Sequence, residues 1–288
     1  MWPFDNQGAA STVDLSACSS LPMPFAHGPQ PGVPEMLMVV LRVGGLWALL
    51  FYGFVGAQRV GWLQFRRSSK PHENNEFIIA QMLNAMVKSI VVSSSANYLL
   101  IHEWNASDEA KFGCIPLGHT AGLLFGSYEA MDLVTGGLHG LMDAGLVVHH
   151  VLHISIGFIM FHNCGPDFLA ACLMSQETTG FCYNLFLLGR YRYSEDTVKG
   201  VVTQASKYIF VTFFAIFRIG IGTYGAFSFL TTYSEQLVNN SRRPFASWQA
   251  HILAVAVSAG VVMQIYFFST ILAMVHREKI KKKKNATA

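Results

Sequence analysis

The chain has 288 residues, of which 52% are hydrophobic and only 13% charged, with a formal charge of +3 and a mean hydropathy of +0.36. A soluble domain carries about 25% charged residues, so the composition excludes an ordinary soluble protein and indicates a polytopic membrane protein. Much of the positive charge lies in one C-terminal run, Arg277 to Lys284, instead of on a basic face, which argues against nucleic acid as a partner.

Residues 1–34 are polar, contain prolines and lack Lys and Arg. They match neither a secretory signal, with its basic start and unbroken apolar run, nor an arginine-rich mitochondrial presequence. Beyond them, hydropathy and breaker residues predict an all-α chain of about seven transmembrane helices, at Glu35–Ala57, Phe77–Ile101, His119–Thr135, Leu141–His162, Asp167–Leu188, Lys207–Leu230 and Trp248–Val275. Each is near the roughly 20 residues that a hydrocarbon core of about 30 Å requires. A basic tail follows over residues 276–288. Cys164, Cys172 and Cys182 fall in or beside these spans without any CxxC pairing and read as packing residues.

Loops on the cytoplasmic side of a membrane are enriched in Lys and Arg. Seven spans place 14 of the 20 basic residues on one side (Arg59, Arg66, Arg67, Lys70, Arg190, Arg192, Lys199, Lys207 and six in the tail), against Lys111, Arg242 and Arg243 on the other. This asymmetry puts the N-terminus outside and the C-terminus inside. Two glycosylation acceptors, at Asn105 and Asn239, fall in loops assigned to the outside. They favour the endoplasmic reticulum over the mitochondrial inner membrane, the other location compatible with the chain. Lys281 to Lys284 is a solvated anchor at the membrane edge.

Ionisable groups within a span are costly, face the interior of the bundle and mark function. The fourth span carries Asp143, His149, His150 and His153; Asp143, His150 and His153 share one helical face. Glu129 and Asp132 share a face of the third span, and Glu177 and Asn184 a side of the fifth. Arg218 interrupts an aromatic run in the sixth and is expected to neutralise Glu177, Glu129 or Asp132. Lys88 and Arg42 are expected to snorkel or pair. Gly220, Gly222 and Gly225 are expected to permit close helix approach.

Two chemistries suit the histidines. One is general base or nucleophilic catalysis by an imidazole that a carboxylate orients, since the histidine pKa lies near working pH. The other is a metal held by His149, His153 and a carboxylate from another span. The chain has no second histidine pair and no HExxH pattern, so no metal site is expected.

Three features together resemble the TLC-domain family, which includes the ceramide synthases: the mid-span pair His149-His150 preceded by Asp132-Leu133, the later Glu177-Thr178-Thr179 with Asn184, and the aromatic run ending at Arg218-Ile219. The resemblance covers residues 77–275 and implies a six-helix core around a lipid-accessible cavity, here preceded by an extra helix at 35–57. It implies His149 and His150 as catalytic candidates in acyl transfer. Glu129, Asp132, Asp143, His153, Glu177, Asn184 and Arg218 are the candidate cavity-lining or lipid-binding residues. Acyl-coenzyme A enters as a substrate in that reading, with no certain cofactor. The chain departs from the synthases where His162 is followed by Asn163, so their acidic machinery is missing or displaced, and it looks closer to other members of the family. The expected function is therefore lipid metabolism, sensing or acyl transfer in a membrane, with membrane lipids as partners. The alternative is a non-catalytic subunit of a large membrane complex that retains the lipid-binding fold. A retinal-type receptor is disfavoured, because the last span has no Lys for a Schiff base.

Overall fold

The computed structural model of the chain describes residues 33–63, 75–105, 116–163, 167–192, 198–239 and 246–287, and among them it is helical with no strand. The expected N-terminal polar segment, the Arg66, Arg67, Lys70, Lys111, Arg242 and Arg243 side chains, and the sequon positions at 106–107 and 240–241 lie outside the described residues. Nine α-helices are described. They are α1 (Val33–Arg59), α2 (Asn75–Glu103), α3 (Pro116–Leu138), α4 (Ala144–Asn163), α5 (Asp167–Met174), α6 (Glu177–Arg192), α7 (Val198–Phe213), α8 (Gly222–Asn239) and α9 (Ser247–Thr287).

They form seven rods. Helices α5 and α6 are two halves of one rod, interrupted at Ser175 and Gln176. Helices α7 and α8 are continuous through a π-helical segment, Phe214–Ile221, in which the Gly222 amide donates to the Phe217 carbonyl five residues back. Four rods are long and apolar enough to cross a membrane, over Pro34–Arg59, Glu76–Glu103, Thr203–Thr231 and Trp248–Arg277. The remaining rods, α3, α4 and α5 with α6, carry most of the buried carboxylates and histidines.

The polarity of the molecule is inverted relative to a soluble bundle. Leu46, Leu49, Val255 and Val262 are about two-thirds exposed or more (67%, 71%, 68% and 67%), while Lys88, Glu129, Asp132, His150 and Glu177 are buried. Apolar groups outside and ionisable ones inside is the arrangement that a hydrocarbon surrounding favours. Helix α1 illustrates the pattern. Met36, Val40, Trp47, Phe51 and Val55 recur on one helical stripe and are buried, whereas Leu37, Leu41 and Leu49 face out.

Helix α2 is the hub, packed against α1, α3, α5 and α6. Helix α4 lies between α3 and α9, and α9 also packs on α8. The main core joins Val92 and Ala96 of α2 to Phe125 of α3, Phe168 and Cys172 of α5, Phe229 of α8 and Leu253 of α9.

Close backbone approach sets two crossings. A Cβ on Gly157 of α4 would lie 3.1 Å from the Gly126 Cα of α3, and a Cβ on Gly225 of α8 would lie 2.4 Å from the Cys172 Cβ of α5. Without side chains at these points α4 settles directly on α3, and α8 on α5. Enlarging Gly157 therefore pries α3 from α4. Gly157→Val is expected to lower stability by about 1–3 kcal/mol, read as a fall in Tm of the detergent-solubilised chain. Gly137→Ala, where an added Cβ meets nothing within 4 Å, should leave Tm unchanged or slightly raised.

Candidate functional site

The centre of the site is Lys88, in the middle of α2. Its ammonium lies 3.1 Å from Glu129 Oε1 of α3 and also bonds Glu177 Oε2 at the start of α6, and it sits 4.8 Å from the centroid of the Tyr128 ring and 5.2 Å from that of Phe125. All three charged side chains are under 10% exposed. Taking one such ion out of water costs several kcal/mol, so each is tolerated only because the others are present. The Ser89 hydroxyl adds a donor to Glu177 Oε2 at 3.4 Å. Glu177 also occupies the first turn of α6, where the positive end of the helix dipole favours an anion.

Helix α4 brings its histidines to the other side of Glu129. His150 Nδ1 is 2.5 Å from Glu129 Oε2, and its Nε2 is 3.3 Å from Asp132 Oδ2. Asp132 in turn accepts from the Gln81 amide at 3.1 and 3.2 Å. His150 is thus bonded to Glu129 through Nδ1, while its Nε2 lies near Asp132 without a hydrogen bond to it; the two carboxylates are one turn apart on α3. His153 points the same way more loosely, with Nδ1 3.7 Å from Glu129 Oε2 and no hydrogen-bond partner although the atom is buried. His149 packs edge-on against it, with ring centroids 3.9 Å apart.

His149 and His153 open onto a cleft of about 950 Å³ of empty space, its mouth included. One wall is apolar: Leu152 and Ile156 of α4, Ala170 and Leu173 of α5, Val257 and Val261 of α9. Its polar part comprises His149, His153, Gln176, Glu177, Arg218 and Gln264. Arg218 projects from the π-helical segment, its Nε donating to Thr179 Oγ1 at 2.6 Å and a terminal nitrogen to Gln264 Oε1 at 3.0 Å, with its carbon 5.3 Å from the centroid of the Phe214 ring. A widened turn of this kind recurs at functional sites, because it breaks the regular register of side chains.

Several sequence expectations change. Arg218 has no carboxylate within 4 Å among the described residues; Lys88 supplies the neutralising charge, and of its two expected roles, snorkelling or pairing, it takes the second. Asp143 does not join the buried face. It is exposed, and its Oδ1 caps the first turn of α4 by accepting the Leu146 amide at 2.8 Å. Asn184 bonds the Gly180 carbonyl of its own helix at 2.8 Å and does not line the cleft. Arg42 lies exposed on α1. The side chains of His162, Asn163 and Asp167 lie outside the described residues. Glu129, Asp132, His149, His150, His153 and Glu177 do come together, with Arg218 beside them across the cleft. Gln81 joins the network unforeseen, and Thr179, part of the Glu177-Thr178-Thr179 motif, enters it by accepting from Arg218. The signal for Lys88 was charge arithmetic: three carboxylates buried at one depth need more than one cation.

Glu129, His149 and His153 also present ligand atoms within 4.8 Å of one another, a group that can hold a metal ion. Compared with models of known protein families and with curated protein sequences, the chain matches none.

Removing Lys88 isolates the two glutamates it bridges. Lys88→Met is expected to destabilise the chain by about 3–5 kcal/mol, seen as loss of a monodisperse peak in mild detergent. Combining it with Glu177→Gln should recover part of that loss, because one stranded charge is removed with its partner; a double variant as unstable as the sum of the singles would show that the two side chains do not act as a pair.

Proposed function

We propose that the chain is a polytopic membrane protein whose seven rods all span the bilayer, and that it accepts a lipid in the cleft between α4, α5 and α9. The observation that carries this reading is the division of the cleft. A hydrocarbon chain fits along Leu152, Ile156, Leu173 and Val261, while the polar end of the same molecule meets His149, His153 and Arg218. Binding sites of this class are largely apolar with a few placed polar groups that fix orientation.

The resemblance to the TLC-domain family leads to the same class of ligand and to acyl transfer as the reaction. Within the histidine pair, the geometry favours His149 for contact with substrate. His150 has both nitrogens turned to carboxylates and is absent from the cleft wall, so its part is to hold Glu129 and Asp132 in place. The acyl carbonyl would then lie against His149, with Arg218 available to an anionic group on the donor.

A clickable photoreactive fatty acid added to membranes containing the full chain tests the lipid reading. Labelled peptides should map to α4, α5 and α9 at the cleft, and Val261→Trp, which fills it, should suppress them. Labelling confined to the outward faces around Leu49 and Val255, and insensitive to Val261→Trp, would overturn the proposal. For the reaction, His149→Ala is expected to abolish acyl turnover while the photolabelling of the cleft persists.

A further inference from the structure

The cluster is rich in negative charge: among side chains of fixed charge, only Lys88 and Arg218 answer Glu129, Asp132 and Glu177. On the cleft side of Glu129 the carboxylate meets imidazoles, those of His149 and His153, and a cation held among the three would be attracted strongly in surroundings of low dielectric.

Two details of that place favour a metal over a simple hydrogen bond. The 3.7 Å from His153 Nδ1 to Glu129 Oε2 is too long for an N–H···O bond, and the nitrogen is buried without any partner. Ligand bonds of about 2.0–2.1 Å in tetrahedral geometry set neighbouring ligand atoms about 3.4 Å apart; His153 Nδ1 and Glu129 Oε2 are 3.7 Å apart, and the three ligand atoms lie within 4.8 Å of one another. The carboxylate is also already oriented, by Lys88 on one oxygen and by His150 on the other. Ligating carboxylates are held by such outer hydrogen bonds.

We propose that Glu129, His149 and His153 form a binding site for a divalent transition-metal ion, best suited to zinc, with a fourth coordination position open to the cleft. Two imidazoles and a glutamate are a ligand set that catalytic zinc sites use, and the open position lies on the side where His149 and His153 line the cleft. The ion's positive charge is met by Glu129 and, on the cleft side, by a bound water or an anionic ligand group. It would polarise the carbonyl of an acyl group placed there; His149 then acts as a ligand and is not itself the attacking group. The site stands independently of the lipid reading, since it needs only the three side chains.

The test uses the full chain purified in mild detergent without a histidine tag, stripped with a chelator and re-equilibrated with zinc alone. About one zinc per chain is expected by elemental mass spectrometry. His149→Gln and His153→Gln should each weaken binding by more than about tenfold, whereas His251→Gln, on the exposed face of α9, should bind as the unaltered chain does. Cobalt in place of zinc should give intense visible bands of four-coordinate geometry that disappear in His153→Gln. Thermal melts of the metal-free forms show whether each variant is folded. Zinc that the unaltered folded chain fails to retain, or that it retains equally in the folded His149→Gln/His153→Gln double variant, would overturn the proposal. Either result leaves the photolabelling of the cleft unaffected, so failure here and failure of the lipid reading are told apart.

Discussion

Lys88 is the fixed point of the molecule. One ammonium group joins α2 to α3 through Glu129 and to α6 through Glu177, and His150 and Ser89 gather on those same two carboxylates. Because α2 touches α1, α3, α5 and α6, its ion pairs lie where four rods converge. Apolar packing alone would let these helices slide or rotate at small cost. A buried charge with two partners does not, since any rotation that removes one contact leaves an uncompensated ion.

The histidines depend on that framework in two different ways. Adjacent helical residues point about 100° apart, so His149 and His150 cannot serve the same surface. His150 turns to Glu129 and Asp132, and His149 turns to the cleft beside His153. The close crossing at Gly126 and Gly157 brings α4 near enough for both. The two neighbours thus divide structural support from contact with whatever occupies the cleft.

Much of this was legible in the sequence. Hydropathy gave seven spans, and the described residues form seven rods, four of them long and apolar enough to cross a membrane, because a long apolar run is a local property of the chain. The residues of the polar cluster were legible too, since ionisable groups inside spans stand out. Their pairing was not: Lys88 and Arg218 were both available to the carboxylates, and only the crossing of α2 with α3 and α6 decides between them. Asp143 was read as buried because the fourth span was begun a turn early, at Leu141. An acidic cap just before a helix and an acidic residue just inside one look alike in sequence; the turn at Gly140, with φ +65°, separates them. The interruption at Ser175–Gln176 and the π-helical segment around Arg218 were not legible, since a polar or charged residue within a span, such as Glu177 or Arg218, does not by itself tell a break or widened turn from a regular helix.

The placement of charge among the rods bears on how such a chain is assembled. The rods that pass as free-standing spans are α1, α2, the α7–α8 rod and α9, whereas α3, α4 and α6 contribute Glu129, Asp132, the histidines and Glu177. With all seven rods in a bilayer, as proposed, α2 brings an ammonium without a partner of its own, and α3, α4 and α6 bring acidic or imidazole groups that lipid alone would reject. Their entry is thermodynamically coupled, because the carboxylates of α3 and α6 lose water at tolerable cost only beside Lys88. On the proposed arrangement the central rods form a cooperative unit of insertion, made from segments whose ionisable groups lipid tolerates only in each other's company.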